Sequence, residues 1–241
     1  MNKFTSIRKI VALTSCAILM AILASCVTSR NIQPIREADY SGRIRVACIG
    51  DSITYGHGIK DREHDSYPAH LGVKLGNKWE VRNFGVNSAT ALKTSTRPYL
   101  GQKSFQDALA FEPDVVVIEL GTNDTNAKSW PSHKEEFISD YLEIIDRLQK
   151  PKTKPRIYLC LPVPLFRDRG KDYDTDKILT EEVIPKIKEV ARRKHLPVID
   201  LYSAFADKAA LFPDGVHPDA TGAGIMAEKI FTALTGVPVR S

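Results

Sequence analysis

The sequence predicts an α/β domain: a three-layer α/β/α sandwich built on about five parallel strands. Short apolar runs alternate along the chain with amphipathic segments of helical period. The most apolar run, DVVVIEL at 114–120, is continuous rather than alternating, as expected for a strand that is covered on both faces. Strands that alternate with helices are joined by right-handed crossovers into a parallel sheet. A chain of 241 residues, 43% of them hydrophobic, fits one globular domain of this kind.

Each predicted strand is a short apolar run, and the five lie at 43–50, 79–85, 114–120, 156–163 and 197–201. The predicted helices lie between and after them, at 66–76, 103–113, 132–150, 178–195 and 221–236. Gly76 and Pro113 end the first two helices. Ser132 with Glu135 offers a capping box for the third, and Pro185 predicts a bend or a restart in the fourth.

The first 25 residues have the pattern of an export signal, with a basic start and an apolar run shorter than the roughly 20 residues of a membrane-spanning helix. Their end, together with Cys26, resembles the bacterial lipobox. This resemblance implies a lipidated Cys26. The polar, aperiodic stretch that follows predicts a linker over 26–42, and the alternating apolar and amphipathic segments predict a domain over 43–241. We therefore expect an exported cell-envelope protein that meets the membrane through its lipid anchor only. An ordinary secretory signal or an uncleaved anchor stays open.

Charge gives no argument for a nucleic-acid partner. The formal net charge is +5, but residues 1–25 hold three basic residues and no acidic ones, which leaves 31 basic and 29 acidic residues in the rest of the chain.

Of the four cysteines, Cys16 lies in the signal, and Cys48 and Cys160 lie in predicted strands. We expect these last two to be buried thiols, although a disulfide between them stays open. No spacing typical of a zinc site occurs, and we expect no metal.

Four loops are predicted to meet at one edge of the sheet. In open parallel sheets, the loops at the carboxyl ends of the strands build the site. This rule brings together the segments 50–52, 85, 121–124 and the long loop 212–222. Within them, we expect Asp51 and Asp124 to order the loops by hydrogen bonds rather than to take part in chemistry.

The residues in these loops can supply ester hydrolysis. Ser52 stands at a strand-to-helix turn as the nucleophile, although a lone serine there would more often cap the helix. His217 is the base, and Asp214, three residues earlier in the same loop, orients its ring. The Ser52 and Gly85 backbone N–H groups and the Asn123 amide are candidate donors to an oxyanion. The GxSxG pattern of another hydrolase class is not met, because threonine stands at 54.

Four blocks of the sequence resemble, in order, those of the SGNH (GDSL-type) hydrolase family. They are GDSIT at 50–54, NFGVNS at 83–88, GTND at 121–124 and DGVHP at 214–218. The resemblance covers roughly residues 44–235, and the first block departs from the family pattern by isoleucine in place of leucine. It implies the same triad and the same three oxyanion donors, a flavodoxin-like sheet and no cofactor.

From these residues and this resemblance we expect a serine esterase, with a carbohydrate O-acetyl ester as substrate, either a small molecule or a polysaccharide. A lysophospholipase or acyl thioesterase and a non-catalytic glycan-binding lipoprotein are the alternatives. The segment 91–103, with Lys93, Arg97 and Tyr99, is either a sugar contact or a basic surface loop, and Trp130 either lines the pocket or packs in the core. His57 is expected in a solvated loop.

We also expect the activity to fall below about pH 6–7, because an imidazole ordinarily has a pKa near 6.5. The sequence leaves the oligomeric state open.

Overall fold

The computed structural model describes residues 33–126, 128–167 and 176–238. The predicted signal and Cys26 lie outside these residues. A compact unit runs from Pro34 to Ser241, so it begins nine residues before the predicted boundary at 43. The reason is Ile35, which is buried in the core and whose N–H donates to the Leu234 carbonyl oxygen at 2.8 Å.

The sheet has five parallel strands in the order β2-β1-β3-β4-β5, which confirms the predicted fold class. This is the strand order of flavodoxin-like sheets. The strands are β1 Ile44–Gly50, β2 Trp79–Gly85, β3 Val115–Glu119, β4 Arg156–Leu161 and β5 Val198–Asp200.

Both faces of the sheet are buried, because each central strand carries apolar side chains at consecutive positions. In β1, Ala47 and Ile49 face one core, whereas Val46 and Cys48 face the other. The alternation in β3 is the same. Each central strand is therefore covered on both faces, and sheets of this kind build their site at the edge where the strands end.

The helices form the two outer layers of the sandwich. They are α1 Ser52–Tyr55, α2 Arg62–Asp65, α3 Tyr67–Leu75, α4 Lys103–Ala110, α5 Trp130–His133, α6 Phe137–Leu148, α7 Asp176–Ile178, α8 Ile184–Lys194, α9 Leu201–Ala204 and α10 Ala220–Thr235. Helices α3 and α10 pack together on one face of the sheet, and α6 and α8 pack together on the other.

The predicted helix over 132–150 differs from the structure in two details, whereas the predicted restart near Pro185 is present. The predicted helix over 132–150 is two helices, and its capping box is wrong: α6 begins after Glu136, and no side chain caps it. The chain turns before α6 because Trp130 and Phe137 both pack into the core, with their ring centroids 5.5 Å apart. The predicted restart near Pro185 is confirmed, since a π-helical stretch, Leu179–Val183, precedes α8 and Pro185 lies in the first turn of α8.

Cys48 and Cys160 are free and buried, as the sequence predicts. Among the described residues, no helix combines the length and the apolar character that a membrane crossing requires.

Candidate active site

Ser52 is the first residue of α1, directly after the central strand β1. The preceding residue, Asp51, caps this helix, and its Oδ1 accepts the Ile53 N–H at 2.8 Å. The turn is tight at Gly50, where a Cβ would overlap Thr54 and lie 2.5 Å from the Glu119 carbonyl oxygen. Only glycine fits there, and the close packing holds the Ser52 hydroxyl at the edge of the sheet, where the side chain is largely buried.

The loop before α10 brings the imidazole to this hydroxyl. The Ser52 Oγ and the His217 Nε2 are 2.8 Å apart. On the other side of the ring, His217 Nδ1 is 2.6 Å from Asp214 Oδ2. A carboxylate can only accept here, so Nδ1 carries the proton and Nε2 is free to accept the serine proton. Three residues from two distant segments thus form one continuous hydrogen-bonded chain.

Asp214 also organises its own loop. Its Oδ1 accepts the backbone N–H groups of Val216 at 3.0 Å and of His217 at 2.8 Å. Burial acts to raise the pKa of Asp214, but the hydrogen bonds from the His217 backbone, the His217 ring and Val216 outweigh it and lower the pKa to about 2. The group is therefore ionised at neutral pH, which is the form that stabilises a positively charged imidazole.

The three predicted oxyanion donors surround the nucleophile turn, but they are engaged differently. The Ser52 N–H is at the first helical position, where no intrahelical acceptor exists. The Asn123 amide donates to the Ala89 carbonyl oxygen at 3.0 Å. The Gly85 N–H donates at 2.9 Å to Oδ1 of Asn83, two residues earlier. A role for Gly85 as an oxyanion donor therefore requires this bond to Asn83 to be shared or broken.

Asn83 is a residue of the site that the sequence reasoning missed. Its Nδ2 donates to the Thr54 carbonyl oxygen at 2.8 Å, so its side chain ties the end of β2 to α1. The two segments lie so close that a Cβ on Gly85 would overlap the Tyr55 backbone nitrogen. The asparagine stands in the quoted NFGVNS block, which was the available signal.

Three carboxyl groups near the Ser52 turn are buried, those of Asp51, Glu119 and Asp124. Asp124 accepts the N–H groups of Ala91 and Leu92 at 3.0 and 2.9 Å, and so orders the loop after β2, as the sequence predicts. Burial raises the pKa of Asp124 to about 6, although these bonds lower it. Burial also raises the pKa of Asp51 to about 7 and that of Glu119 well above its usual range.

His57 is exposed in the turn after α1, as the sequence predicts, and it lies beside His217. Its ring centroid is 4.5 Å from that of His217, and its backbone N–H donates to the Ser52 carbonyl oxygen at 2.9 Å. Both rings line a cavity of about 140 Å³ together with Asp214 and Asp219. A larger cavity of about 450 Å³ lies beside β5 and α10, and none of the predicted site residues lines it.

Two residues of the segment 91–103 make contacts that leave them unsuited to bind a sugar. Tyr99 is fully buried, and its hydroxyl donates to the Phe84 carbonyl oxygen at 2.7 Å. Lys93 is paired with Asp140 and Glu143. Arg97 is exposed. Of the two roles left open for Trp130, the structure shows packing: the ring is buried, and its Nε1 donates to Glu182 at 3.0 Å.

Within the described ranges, no group of three or more potential metal ligands occurs. His64, which the sequence places near Asp61, forms a hydrogen bond with it, and its Nδ1 is 3.0 Å from Asp61 Oδ1.

The comparisons with known proteins agree with this arrangement. The model of the GDSL-like Lipase/Acylhydrolase family matches residues 48–225, which is well over half of the chain. An acetylxylan esterase from Xylanibacter ruminicola is 41% identical over 209 residues, which are 79% of this chain and 43% of that protein. The chain thus spans less than half the length of this relative.

Solved structures share the fold. An acetyl xylan esterase matches with a TM-score of 0.62 at 24% identity, over 79% of this chain and 100% of the other. A carbohydrate acetylesterase from Sinorhizobium meliloti matches with a TM-score of 0.60 at 18% identity, over 78% and 97% of the two chains. By the match to its model, the chain belongs to the GDSL-like lipase/acylhydrolase family.

Proposed function

We propose that this member of the GDSL-like hydrolase family is a serine esterase that removes acetyl groups from the hydroxyls of carbohydrates. The observation that carries the proposal is the hydrogen-bonded chain from Ser52 through His217 to Asp214, with distances of 2.8 and 2.6 Å. A hydroxyl that only capped a helix would need neither an imidazole nor an oriented carboxylate.

In the first half of the reaction, His217 Nε2 removes the proton of Ser52 Oγ as this oxygen attacks the carbonyl carbon of the ester. The carbonyl oxygen becomes negatively charged. The Ser52 N–H, the Asn123 amide and the Gly85 N–H are the candidate donors that hold it. For this, Asn123 has to share its bonds to Ala89 and Asp51, and Gly85 has to share its bond to Asn83. The protonated ring then gives its proton to the departing alkoxide, and an acetyl-serine remains.

In the second half, water attacks the acetyl-serine and loses its proton to His217 Nε2. The same donors hold the second oxyanion, and the ring returns the proton to Ser52 Oγ as acetate leaves. Asp214 stays ionised throughout, since its pKa of about 2 lies far below neutral pH. Its role is to fix the tautomer of the ring and to stabilise its positive form.

The acetyl group and the sugar alcohol are supported by similarity and by the small size of the site. The relative with 41% identity is an acetylxylan esterase. The cavity beside His217 holds about 140 Å³ and is lined by His57, Asp214 and Asp219. This volume is below the roughly 300–1,000 Å³ of pockets that enclose drug-sized ligands.

Hydrolysis of p-nitrophenyl acetate by the wild type and by Ser52→Ala tests the mechanism. The matched control is Ser139→Ala, because this exposed serine donates to the Glu136 carbonyl oxygen in α6. We expect the control to keep the full rate and Ser52→Ala to lose it. Equal rates for all three proteins would contradict the mechanism.

A series of p-nitrophenyl esters from C2 to C12, together with acetylated xylan, tests the substrate class. We expect kcat/KM to be highest for the acetyl ester and acetate to be released from the polysaccharide. A rate that rises with chain length would instead favour a lysophospholipase or thioesterase. Tight glycan binding without turnover would favour the non-catalytic alternative.

The lipid anchor at Cys26 is part of the same proposal and is supported by the sequence pattern at 23–26. Metabolic labelling with a fatty-acid probe tests it by comparing the wild type with Cys26→Ser. We expect the label and the membrane fraction of the protein to be lost in the variant, whereas equal labelling would contradict the anchor.

A further inference from the structure

Glu119 is a buried acid next to the nucleophile turn, and the esterase mechanism does not use it. It is the last residue of β3, and the register of the sheet pairs it with Gly50 of β1. Its side chain is fully buried, and neither of its carboxyl oxygens receives a hydrogen bond from a donor in the described part of the chain. A carboxylate without donors in such a place is very unfavourable, so the group is held in its neutral, protonated form.

A protonated Glu119 has a proton to donate, and the register places it beside Gly50, whose next residue, Asp51, has a carboxyl that can accept. Burial and the nearby Asp51 both raise the pKa of Glu119 well above its usual range. Asp51 is also fully buried, and burial raises its pKa to about 7, whereas the hydrogen bond from the Ile53 N–H lowers it. Two buried carboxyls that act on each other in this way share one proton. Glu119 holds it, because Asp51 accepts the Ile53 N–H, which favours the ionised form of Asp51, whereas Glu119 accepts no such bond from the described residues.

Asp51 uses its other lone pairs for the active site. Its Oδ1 accepts the Ile53 N–H at 2.8 Å, which fixes the first turn of α1 and with it Ser52. Its Oδ2 accepts from the Asn123 amide at 3.4 Å. One carboxylate thus orients both the nucleophile and a side chain that donates to the oxyanion. Both contacts need Asp51 as an acceptor, and a proton on Asp51 itself would oppose them.

We propose that Glu119 is a positioning residue, whose retained proton is donated to Asp51 so that the Asp51 carboxylate can hold the Ser52 turn and the Asn123 amide in place. This inference rests on the proposed esterase function. The other titratable groups that interact with the pair are Asp124, Tyr67, Tyr141 and Cys160. None of these groups is a cation that could offset two negative charges. Only Asp51 is therefore ionised, and Glu119 keeps its proton.

The kinetic test compares Glu119→Gln, which keeps a donor of the same shape, with Glu119→Leu, which removes it. Glu143→Gln is the control, because this carboxylate pairs with Lys93 away from Ser52. The substrate is p-nitrophenyl acetate from pH 6 to 9. In Glu119→Leu, Asp51 has to carry a proton itself near neutral pH. We expect kcat at pH 7 to fall by about tenfold, the size of one lost charge-assisted hydrogen bond, with KM unchanged and with recovery toward pH 9.

In Glu119→Gln and in the control, we expect kcat and its pH profile to stay close to those of the wild type. A role in packing alone would lower the melting temperature of Glu119→Leu without moving its pH profile. Equal pH profiles for the leucine, glutamine and wild-type proteins would therefore overturn the proposal, as would an equal loss of kcat in both Glu119 variants.

A second measurement tests the retained proton without any activity. In the unfolded chain, Glu119 loses its proton above about pH 4.3, whereas in the folded protein Glu119 keeps it. Each pH unit above this value therefore favours the unfolded wild type. The ratio of folded to unfolded protein should fall tenfold per pH unit in the wild type, relative to Glu119→Gln. Urea unfolding between pH 5 and 8 measures this ratio. A difference between the two proteins that does not change with pH would overturn the proposal. If the wild type hydrolyses no ester but shows this slope, the esterase function fails while the proton on Glu119 stands.

Discussion

Replacing Asp214 by asparagine should trap the imidazole in the wrong tautomer while leaving the loop folded. Asparagine keeps an oxygen for the backbone N–H groups of Val216 and His217, which Asp214 Oδ1 accepts at 3.0 and 2.8 Å. Its amide nitrogen then takes the place of Oδ2, 2.6 Å from Nδ1 of the ring. An amide N–H can only donate, so Nδ1 has to lose its proton and Nε2 has to gain one. The ring then presents a proton, rather than a lone pair, to Ser52.

The size of the effect follows from the contact that is lost. A charge-assisted hydrogen bond contributes about 1.5–3 kcal/mol, which corresponds to roughly 10–150-fold in rate at about 1.36 kcal/mol per decade. The wrong tautomer adds to this, and in serine proteases the same substitution lowers kcat by about 10⁴. The side chain of Asp214 is 42% exposed, so water screens its charge. We therefore expect kcat/KM to fall by about 10²–10³-fold.

The assay is kcat/KM for p-nitrophenyl acetate, measured beside the melting temperature. Asp200→Asn is the matched control, because Asp200 also accepts a backbone N–H, that of Ser203 at 2.9 Å, as the cap of α9. The control should keep its activity, and Asp214→Asn should keep its melting temperature. An Asp214→Asn protein with wild-type kcat/KM would refute the role given to this carboxylate.

Three further substitutions test the site and the packing around it. Asn123→Ala removes a donor to the oxyanion and should lower kcat by about 10²–10³-fold; steady-state kinetics check this, and an unchanged kcat would exclude the amide from the oxyanion hole. Gly85→Ala would place a Cβ 2.7 Å from the Thr54 carbonyl carbon and closer still to the Tyr55 nitrogen. The substitution should therefore lower the free energy of unfolding by about 1–3 kcal/mol or more, and an unchanged melting temperature would contradict this. Trp130→Ala should lower the free energy of unfolding by about 3–5 kcal/mol, because the ring is buried; denaturant unfolding checks this, and a near-zero change would argue against its packing role.

The sequence predicts the five strands to within about two residues at either end because each is an apolar run bounded by turn residues. It fails at features that depend on contacts between distant segments. Ile35 is a single apolar residue in a polar stretch, so no period marks it as part of the core. Ser132 and Glu135 match a capping pattern, yet the packing of Trp130 and Phe137 sets the start of α6 elsewhere.

The candidate site shows the same limit. Strand ends and four blocks of sequence bring Ser52, Asp214 and His217 to one edge, where the structure places them in hydrogen-bond contact. The bond from Gly85 to Asn83 escaped prediction, because the NFGVNS block marks the asparagine but does not show which backbone group its side chain contacts. Glu119 reads as the end of an apolar strand, and only the β1–β3 register shows that it lies beside Gly50, the residue before Asp51.

The central claim is that the Ser52 oxygen is made nucleophilic by His217. A fluorophosphonate that reacts with activated serines tests it most directly, with the adduct located by peptide mass spectrometry. We predict one adduct, on Ser52, and a large loss of labelling rate in His217→Ala. Absence of an adduct on Ser52, or labelling of His217→Ala at the wild-type rate, would contradict the account.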